Sequence, residues 1–359
     1  MLILYITYVD MESGVSGSAV RPRKMYQALL DAGHEVKLLS GGQERWDREK
    51  RAAAVREIRQ WLRENRPDAC YIESPSTPIT FRFDIELIRE IRRLGVPIGY
   101  FYRDFYWKFP ELYPRRTDPA GRLKDLWMDH LQRRTDDALR WADIVYFPSE
   151  ECKAYFSYKD MRTLPPAGEE RSPARCPEEN TCIYVGGIGS DYGGETMLRA
   201  FRRLNAGGKR FPLLLVCREK EWNAFRGAWE NEPWLEVRHA SGEGLPPLYA
   251  RAEAALMPIQ KNPYTDLSVN VKIYEYMSFG LPIVSTNVKA VARIVEDNRI
   301  GVTARGDTDE AFAAAVEALF ADRERLPEDG KNSLLALKDR NLWIHRARQV
   351  VSDLGEKRA

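Results

Sequence analysis

Cysteine is scarce and scattered in this chain. The five present, Cys70, Cys152, Cys176, Cys182 and Cys217, are odd in number and form no C-x-x-C pair. That argues against a disulfide framework or a structural zinc, and for a reducing compartment. The four histidines, His34, His130, His239 and His345, make no metal-like cluster. No apolar run approaches the roughly 20 residues of a membrane span. The apolar start, residues 2–9, is short, lacks a basic lead-in and runs into Asp10 and Glu12, so it reads as a first strand rather than a signal peptide. An excess of one charge is also missing. Lys and Arg number 55 against 53 Asp and Glu, a net charge of +2, which gives no electrostatic footprint for nucleic acid. There is no low-complexity segment. These absences lead to a cytoplasmic location, with no metal and no cofactor expected.

The 359 residues suffice for two domains of ordinary size. Residues 2–9 form a strand, 12–19 a loop with Gly14 and Gly17, and 22–32 a helix with Pro22 near its first turn and Gly33 past its end. A second strand, 36–39, completes a βαβ unit of mononucleotide-binding length. Helices at 46–65, 84–94 and 123–142 then alternate with strands at 69–73, 97–102 and 144–148. Alternation of this kind specifies a parallel sheet with helices on both faces. A seam rich in Pro, Glu and Arg at 164–179 opens a second array. It contains strands 181–185, 213–217, 235–238 and 254–258, helices 195–204 and 245–251, and the glycine-rich turn G-G-I-G-S-D-Y-G-G. The fold class expected is α/β, with two doubly wound Rossmann-like domains over 1–165 and 166–340. A final helix over 341–359 packs back on the first. Ligands of such folds bind at the carboxyl ends of the strands, so two such domains facing each other leave a cleft there.

The most informative stretch is S-V-N-V-K-I-Y-E-Y-M-S-F-G-L-P-I-V-S-T-N, residues 268–287. Ser268 and Asn270 are potential caps, Ile273 and Met277 give an apolar stripe, Gly280 ends the helix and residues 281–284 read as a strand. The helix N-terminus at Ser268, Val269, Asn270 and Val271 suits a phosphate. Glu275, one turn in, suits a ribose diol, because a carboxylate accepts two hydrogen bonds. The pairing fits a sugar nucleotide.

With these stretches in order, the chain resembles GT-B fold glycosyltransferases, most closely the retaining family four. The carrying motifs are G-V-S-G-S-A-V-R-P-R-K-M-Y-Q-A-L-L-D-A-G-H-E-V in the first half, then Y-V-G-G-I-G, L-Y-A-R-A-E-A-A-L-M-P and V-K-I-Y-E-Y-M-S-F-G-L-P-I-V-S in the second. The resemblance implies transfer of a hexose from a nucleotide diphosphate sugar to an acceptor hydroxyl, without a metal. It implies that Glu275 holds the donor ribose, that residues 268–271 cradle phosphate and sugar, and that Gly17 belongs to a loop closing over the diphosphate.

Three positions depart from the family. Its first glutamate, eight positions before the second, falls on Leu267; its basic pair falls on Gly187 and Tyr192; its His-Asp falls on Arg103-Asp104. Charged hydrogen bonds contribute roughly 1.5–3 kcal/mol each, so losing two weakens donor binding by about two to four powers of ten unless other groups compensate. Arg103, Arg218, Lys220, Lys261 and Lys272 are the candidate cations. Lys272 projects from the first helical turn, three residues before Glu275. Asp266 is a candidate for part of the missing glutamate's role.

The full site expectation follows. Glu275, Asp104 and Arg103 are the catalytic candidates. Gly17, Gly187, Gly189, Arg218, Lys272, Ser268, Val269, Asn270, Val271 and Glu275 bind donor. Tyr102, Arg103, Asp104, Tyr106 and Trp107, in an aromatic-dense segment suited to sugar stacking, bind acceptor. The same aromatics with Arg115, Arg116, Arg122 and Trp127 also suit a membrane surface, consistent with a glycan or lipid-linked acceptor at the inner face of a membrane. Asp307-Thr308-Asp309 imitates a metal-binding D-x-D but precedes a helical run, where Asp307 and Glu310 form a capping arrangement. Two other functions compete with a transferase. One is a degenerate protein that binds a sugar nucleotide or glycan without turnover. The other is a GT-B sugar-nucleotide epimerase, disfavoured because few acidic residues stand at the expected loop ends.

Overall fold

The computed structural model describes residues 1–11, 19–171, 175–208 and 210–358. The chain divides into two compact units, one of Met1–Pro165 with Trp343–Ala359 and one of Pro166–Leu342.

The first unit is built on β1 (Leu2–Thr7), β2 (Glu35–Leu39), β3 (Ala69–Glu73), β4 (Ile98–Phe101), β5 (Ile144–Phe147) and the short edge strand β6 (Met161–Thr163). All pairings are parallel, in the order β2-β1-β3-β4-β5-β6. Strands covered by helices on both faces read as continuous apolar runs, and β3 to β5 are buried along their whole length. The helices are α1 (Val20–Asp31), α2 (Arg48–Glu64), α3 (Arg82–Arg93) and α4 (Pro119–Leu139). Helix α4 starts earlier than its apolar pattern suggests, because Asp118 accepts the Gly121 amide at 2.8 Å and Pro119 takes the first helical position.

The second unit has β7 (Cys182–Val185), α5 (Gly194–Leu204), β8 (Leu213–Val216), α6 (Glu219–Phe225), β9 (Leu235–Arg238), α7 (Pro246–Ala250), β10 (Ala254–Met257), α8 (Val271–Ser278), β11 (Ile283–Ser285), α9 (Lys289–Asn298), β12 (Gly301–Thr303), α10 (Asp309–Ala321) and α11 (Arg325–Arg340). Its sheet is again parallel, in the order β12-β11-β10-β7-β8-β9. Helix α11 was not legible, since R-L-P-E-D-G-K-N looks like a loop. Pro327 falls in the first turn, where its missing N–H is not needed. Gly330 admits the Gly280 carbonyl oxygen to 2.6 Å of where a Cβ would stand. The cap of α10 also differs from expectation. Thr308, not Asp307, accepts the Ala311 amide, because Asp307 is taken by the Lys261 amide and Glu310 by Arg203.

The chain then returns to the first unit as α12 (Trp343–Gly355), which packs on α1. Gln349 donates to the Thr163 carbonyl at 2.9 Å, Arg346 to the Pro165 carbonyl at 3.1 Å, and Leu354 sits within 3.2 Å of where a Cβ on Gly99 would be.

Both units are therefore Rossmann-like. Strand order reverses between β1 and β3 in the first and between β7 and β10 in the second. These switch points are where open α/β sheets receive ligands, at the carboxyl ends of the strands.

Candidate functional site

At the second unit's switch point, β7 runs into the glycine loop and β10 leads through residues 258–270 into α8. Helix α8 is fixed from beneath by its apolar face, Ile273, Tyr274, Tyr276 and Met277, all buried. The Tyr276 hydroxyl accepts the Val185 amide at 3.1 Å, which ties α8 to the end of β7. Asn270 is the N-cap residue, but its side chain makes no capping bond. Ser268 donates to the Tyr264 carbonyl instead, at 3.2 Å. Neither expected cap is used, and the first turn of α8 carries no side-chain cap.

Lys272 and Glu275 share one face of α8, since residues three apart are helical neighbours. The Glu275 carboxylate accepts the Tyr249 hydroxyl of α7 at 3.4 Å. Tyr249 is held by stacking on Phe279 at 4.3 Å and edge contact with Tyr276. Burial pushes the Glu275 carboxyl up from its ordinary range, opposed by the Tyr249 hydrogen bond and by Lys272.

Lys272 reaches from α8 back to the glycine loop. Its ammonium donates to the Tyr184 hydroxyl at 3.0 Å and lies 4.4 Å from the Tyr184 ring centroid and 5.2 Å from that of Tyr192. Gly186 makes room for it. A Cβ there would stand 2.6 Å from the Lys272 Nζ, and the residue's φ of +144° favours glycine besides. Burial lowers the Lys272 ammonium to about 8, with Glu275 and Glu221 pulling the other way. The positions that resemblance would make basic, Gly187 and Tyr192, thus lie against one another, 3.1 Å from a Gly187 Cβ position to the Tyr192 ring, with a lysine from a different element beside them.

Gly189 begins the 3-10 turn Ser190–Tyr192, and Gly193 closes it in the left-handed region, where a Cβ would collide with the Pro258 carbonyl. Arg218 is 80% exposed and pairs with Glu221 at 2.5 Å. Leu267 is buried, so no carboxylate stands at the first-glutamate position. Asp266 is engaged in starting α9, accepting the Lys289 amide at 2.9 Å. Lys261 donates to the Asn287 carbonyl at 3.2 Å.

In the first unit, Arg103 faces Glu73 at the end of β3, at 3.7 Å. Glu73 is fully buried and also accepts Arg21 Nε at 3.2 Å and the Tyr71 hydroxyl at 3.0 Å. Arg21 is buried with its guanidinium 3.7 Å above the Phe101 ring. Tyr102 is withdrawn from the expected acceptor surface. Its ring packs among Phe105, Trp107, Phe147 and Phe156, and its hydroxyl bonds Gln132 and Asp136. Tyr100 in β4 and Tyr102 just past its end are both buried, their ring centroids 6.0 Å apart. Tyr106 is exposed and meets Tyr113 edge-on; Trp107, Arg103 and Asp104 are half-buried. Gly17 lies outside the described residues.

Sequence reasoning missed Tyr249, Tyr184 and Glu221. Tyr249 belongs to the quoted L-Y-A-R-A-E run, and Glu221 lies in the first turn after a strand's carboxyl end, which is the signal that identifies each.

Residues 179–322 match the model for glycosyl transferases group 1. A curated relative, an alpha-D-kanosaminyltransferase of Streptomyces kanamyceticus, is 24% identical over 264 residues, 66% of this chain and 66% of that protein. Among solved structures, HepE of Anabaena in complex with UDP superposes with a TM-score of 0.66 at 13% identity, covering 99% of this chain and 100% of that one. A glycosyltransferase from Rickettsia africae gives 0.68 at 12% identity, covering 99% and 98%. WaaG, a glycosyltransferase of lipopolysaccharide biosynthesis, gives 0.64 at 13% identity, covering 99% of each chain. The chain therefore has the GT-B fold of these glycosyltransferases, and its residues 179–322 are the part that matches glycosyl transferases group 1.

Proposed function

We propose that the protein moves a hexose from a nucleotide diphosphate sugar to a glycan or lipid-linked acceptor, with retention of configuration and without a metal. One observation carries this reading. The Lys272 ammonium is seated at Gly186, beside the loop where phosphate is expected, on the same helix face as Glu275. Glu275 holds the ribose diol. Lys272 and Arg218, with amides of the glycine loop and of the first turn of α8, meet the diphosphate. Lys272 thereby supplies from α8 the charge absent at positions 187 and 192. The departing nucleoside diphosphate gathers negative charge as the glycosidic bond breaks, so a cation fixed in a half-buried site stabilises the transition state more than the ground state. Arg103, Asp104, Tyr106 and Trp107 address the acceptor.

The acceptor side also suits a peripheral membrane contact. Leu123, Leu126 and Trp127 recur on one face of α4 and are 70%, 58% and 49% exposed. Arg122 and Lys124 flank them, while Arg115 and Arg116 neutralise Asp129 and Asp125. An unburied apolar stripe flanked by the cations Arg122 and Lys124 suits an anionic lipid surface. Among the described residues no helix is long and apolar enough to cross a membrane.

Incubation with UDP-, GDP- and dTDP-sugars tests the reading. Slow donor hydrolysis, unchanged by EDTA and releasing sugar of the donor's anomeric configuration, is the expected outcome. Conversion between epimers would indicate the epimerase instead. Binding without turnover, lipid-linked acceptors included, would indicate a protein that has lost catalysis.

A further inference from the structure

Glu221 sits at the third position of α6, where a glutamate ordinarily folds back on its own helix N-terminus. Here it does otherwise. Its Oε2 accepts the backbone N–H of Ile188, in the glycine loop, at 3.3 Å. Its Oε1 takes Arg218 at 2.5 Å. Oε2 also stands 3.5 Å from where a Cβ on Gly187 would be. A carboxylate thus occupies a loop amide and one of the two cations assigned to the donor's diphosphate.

We propose that Glu221 is a specificity-determining residue that makes this site discriminate against the nucleoside diphosphate product in favour of the nucleotide diphosphate sugar. The inference rests on the donor site assigned above. The physical basis is charge. A nucleotide diphosphate sugar has both phosphates esterified and carries about two negative charges near neutral pH. The free diphosphate has a terminal group with a second pKa near 6 and carries about one more. A fixed negative charge beside the loop amide repels the product more than the donor, because Coulomb energy scales with the ligand's charge and is less screened in a half-buried site. Lys272, Arg218 and Arg171 stand against Glu221, Glu275 and Glu169, so the empty site is balanced, and a ligand must share the Ile188 amide and Arg218 with Glu221. Product leaves the faster for it.

The test is Glu221→Gln, which keeps an oxygen acceptor for the Ile188 amide and removes the charge. Calorimetric titration of the full chain with UDP and UDP-glucose, and with GDP and GDP-mannose, reads the ratio of the two dissociation constants. The expected result is a roughly tenfold tightening for the diphosphate, equivalent to about 1.4 kcal/mol, against threefold or less for the sugar nucleotide. Equal tightening of both ligands, no change, or weakening would overturn the proposal, since a carboxylate that merely holds the loop does not alter the ratio. Glu221→Ala separates the parts further. It removes charge and acceptor together, and the ratio must shift in the same direction even if overall affinity falls. If the wild-type protein binds none of these ligands, the donor site itself is wrong and both readings fall. If the wild type binds them and Glu275→Ala weakens binding while Glu221→Gln leaves the ratio unmoved, only the role of Glu221 fails.

Discussion

In the first unit, the charges at the sheet's switch point are sealed inside. Glu73 is fully buried, Arg21 is 5% exposed beneath the Trp343 ring of α12, and the Arg103 side chain is 15% exposed. In the second unit, the corresponding charges stand half-open. Lys272 and Glu275 are partly buried, Glu221 is 30% exposed and Arg218 80%. Two six-stranded parallel sheets use ions at their carboxyl edges in opposite ways. A buried ion whose partner is removed destabilises the fold, whereas a half-exposed one relaxes into water. The buried Glu73–Arg21 core of the first network therefore specifies structure, and the second is free to exchange partners with a ligand.

Removing one partner on each side sharpens that contrast. Glu73→Ala leaves two guanidiniums without their shared carboxylate, and denaturant unfolding should show a loss of about 3–5 kcal/mol. An equally large loss for Glu275→Ala would break the comparison. That variant is expected instead to unfold within about 1 kcal/mol of wild type, while nucleoside diphosphate affinity falls by about 100-fold through two lost charged hydrogen bonds to ribose. Titration calorimetry reads the second effect.

Lys272→Met should weaken diphosphate binding by roughly 10- to 100-fold, and in the wild type this contact carries a pH signature. The ammonium is lowered to about 8 in the ligand-free protein, and a bound phosphate raises it. For the sugar nucleotide, whose phosphates are both esterified, this lysine's contribution to affinity is then constant below about pH 8 and falls as pH rises above it, by up to tenfold per unit until the bound-state value is reached. The groups facing it are Tyr184, Tyr192, Glu221 and Glu275, and loss of the decline in Lys272→Met assigns it to this lysine. The smallest effect on stability belongs to the double variant Leu126→Glu, Trp127→Glu. It should unfold within about 0.5 kcal/mol of wild type yet lose sedimentation with anionic vesicles. Unchanged sedimentation would remove the membrane contact.

The two arrays of β and α segments were legible because apolar runs bounded by Gly and Pro recur at the spacing that parallel sheets need. Helix α8 and its Glu275 were legible for the same reason. Arg21 and Glu73, 52 residues apart, carry no local sign that they meet, and Arg21 reads as one more basic residue on a polar helix. Tyr102 misleads in the other direction, since an aromatic at a strand end looks alike whether it faces a ligand or a second aromatic layer.

Period and punctuation along the chain were enough to determine the class of fold and the helix that bears Glu275, because both depend on neighbours a few residues away. Where the compensating cation sits was decided only by tertiary structure. Lys272 lies 86 residues from the glycine whose missing side chain admits it, and its seat exists only because β7 and β10 are adjacent strands. Long-range packing sets that distance, and no local pattern encodes it.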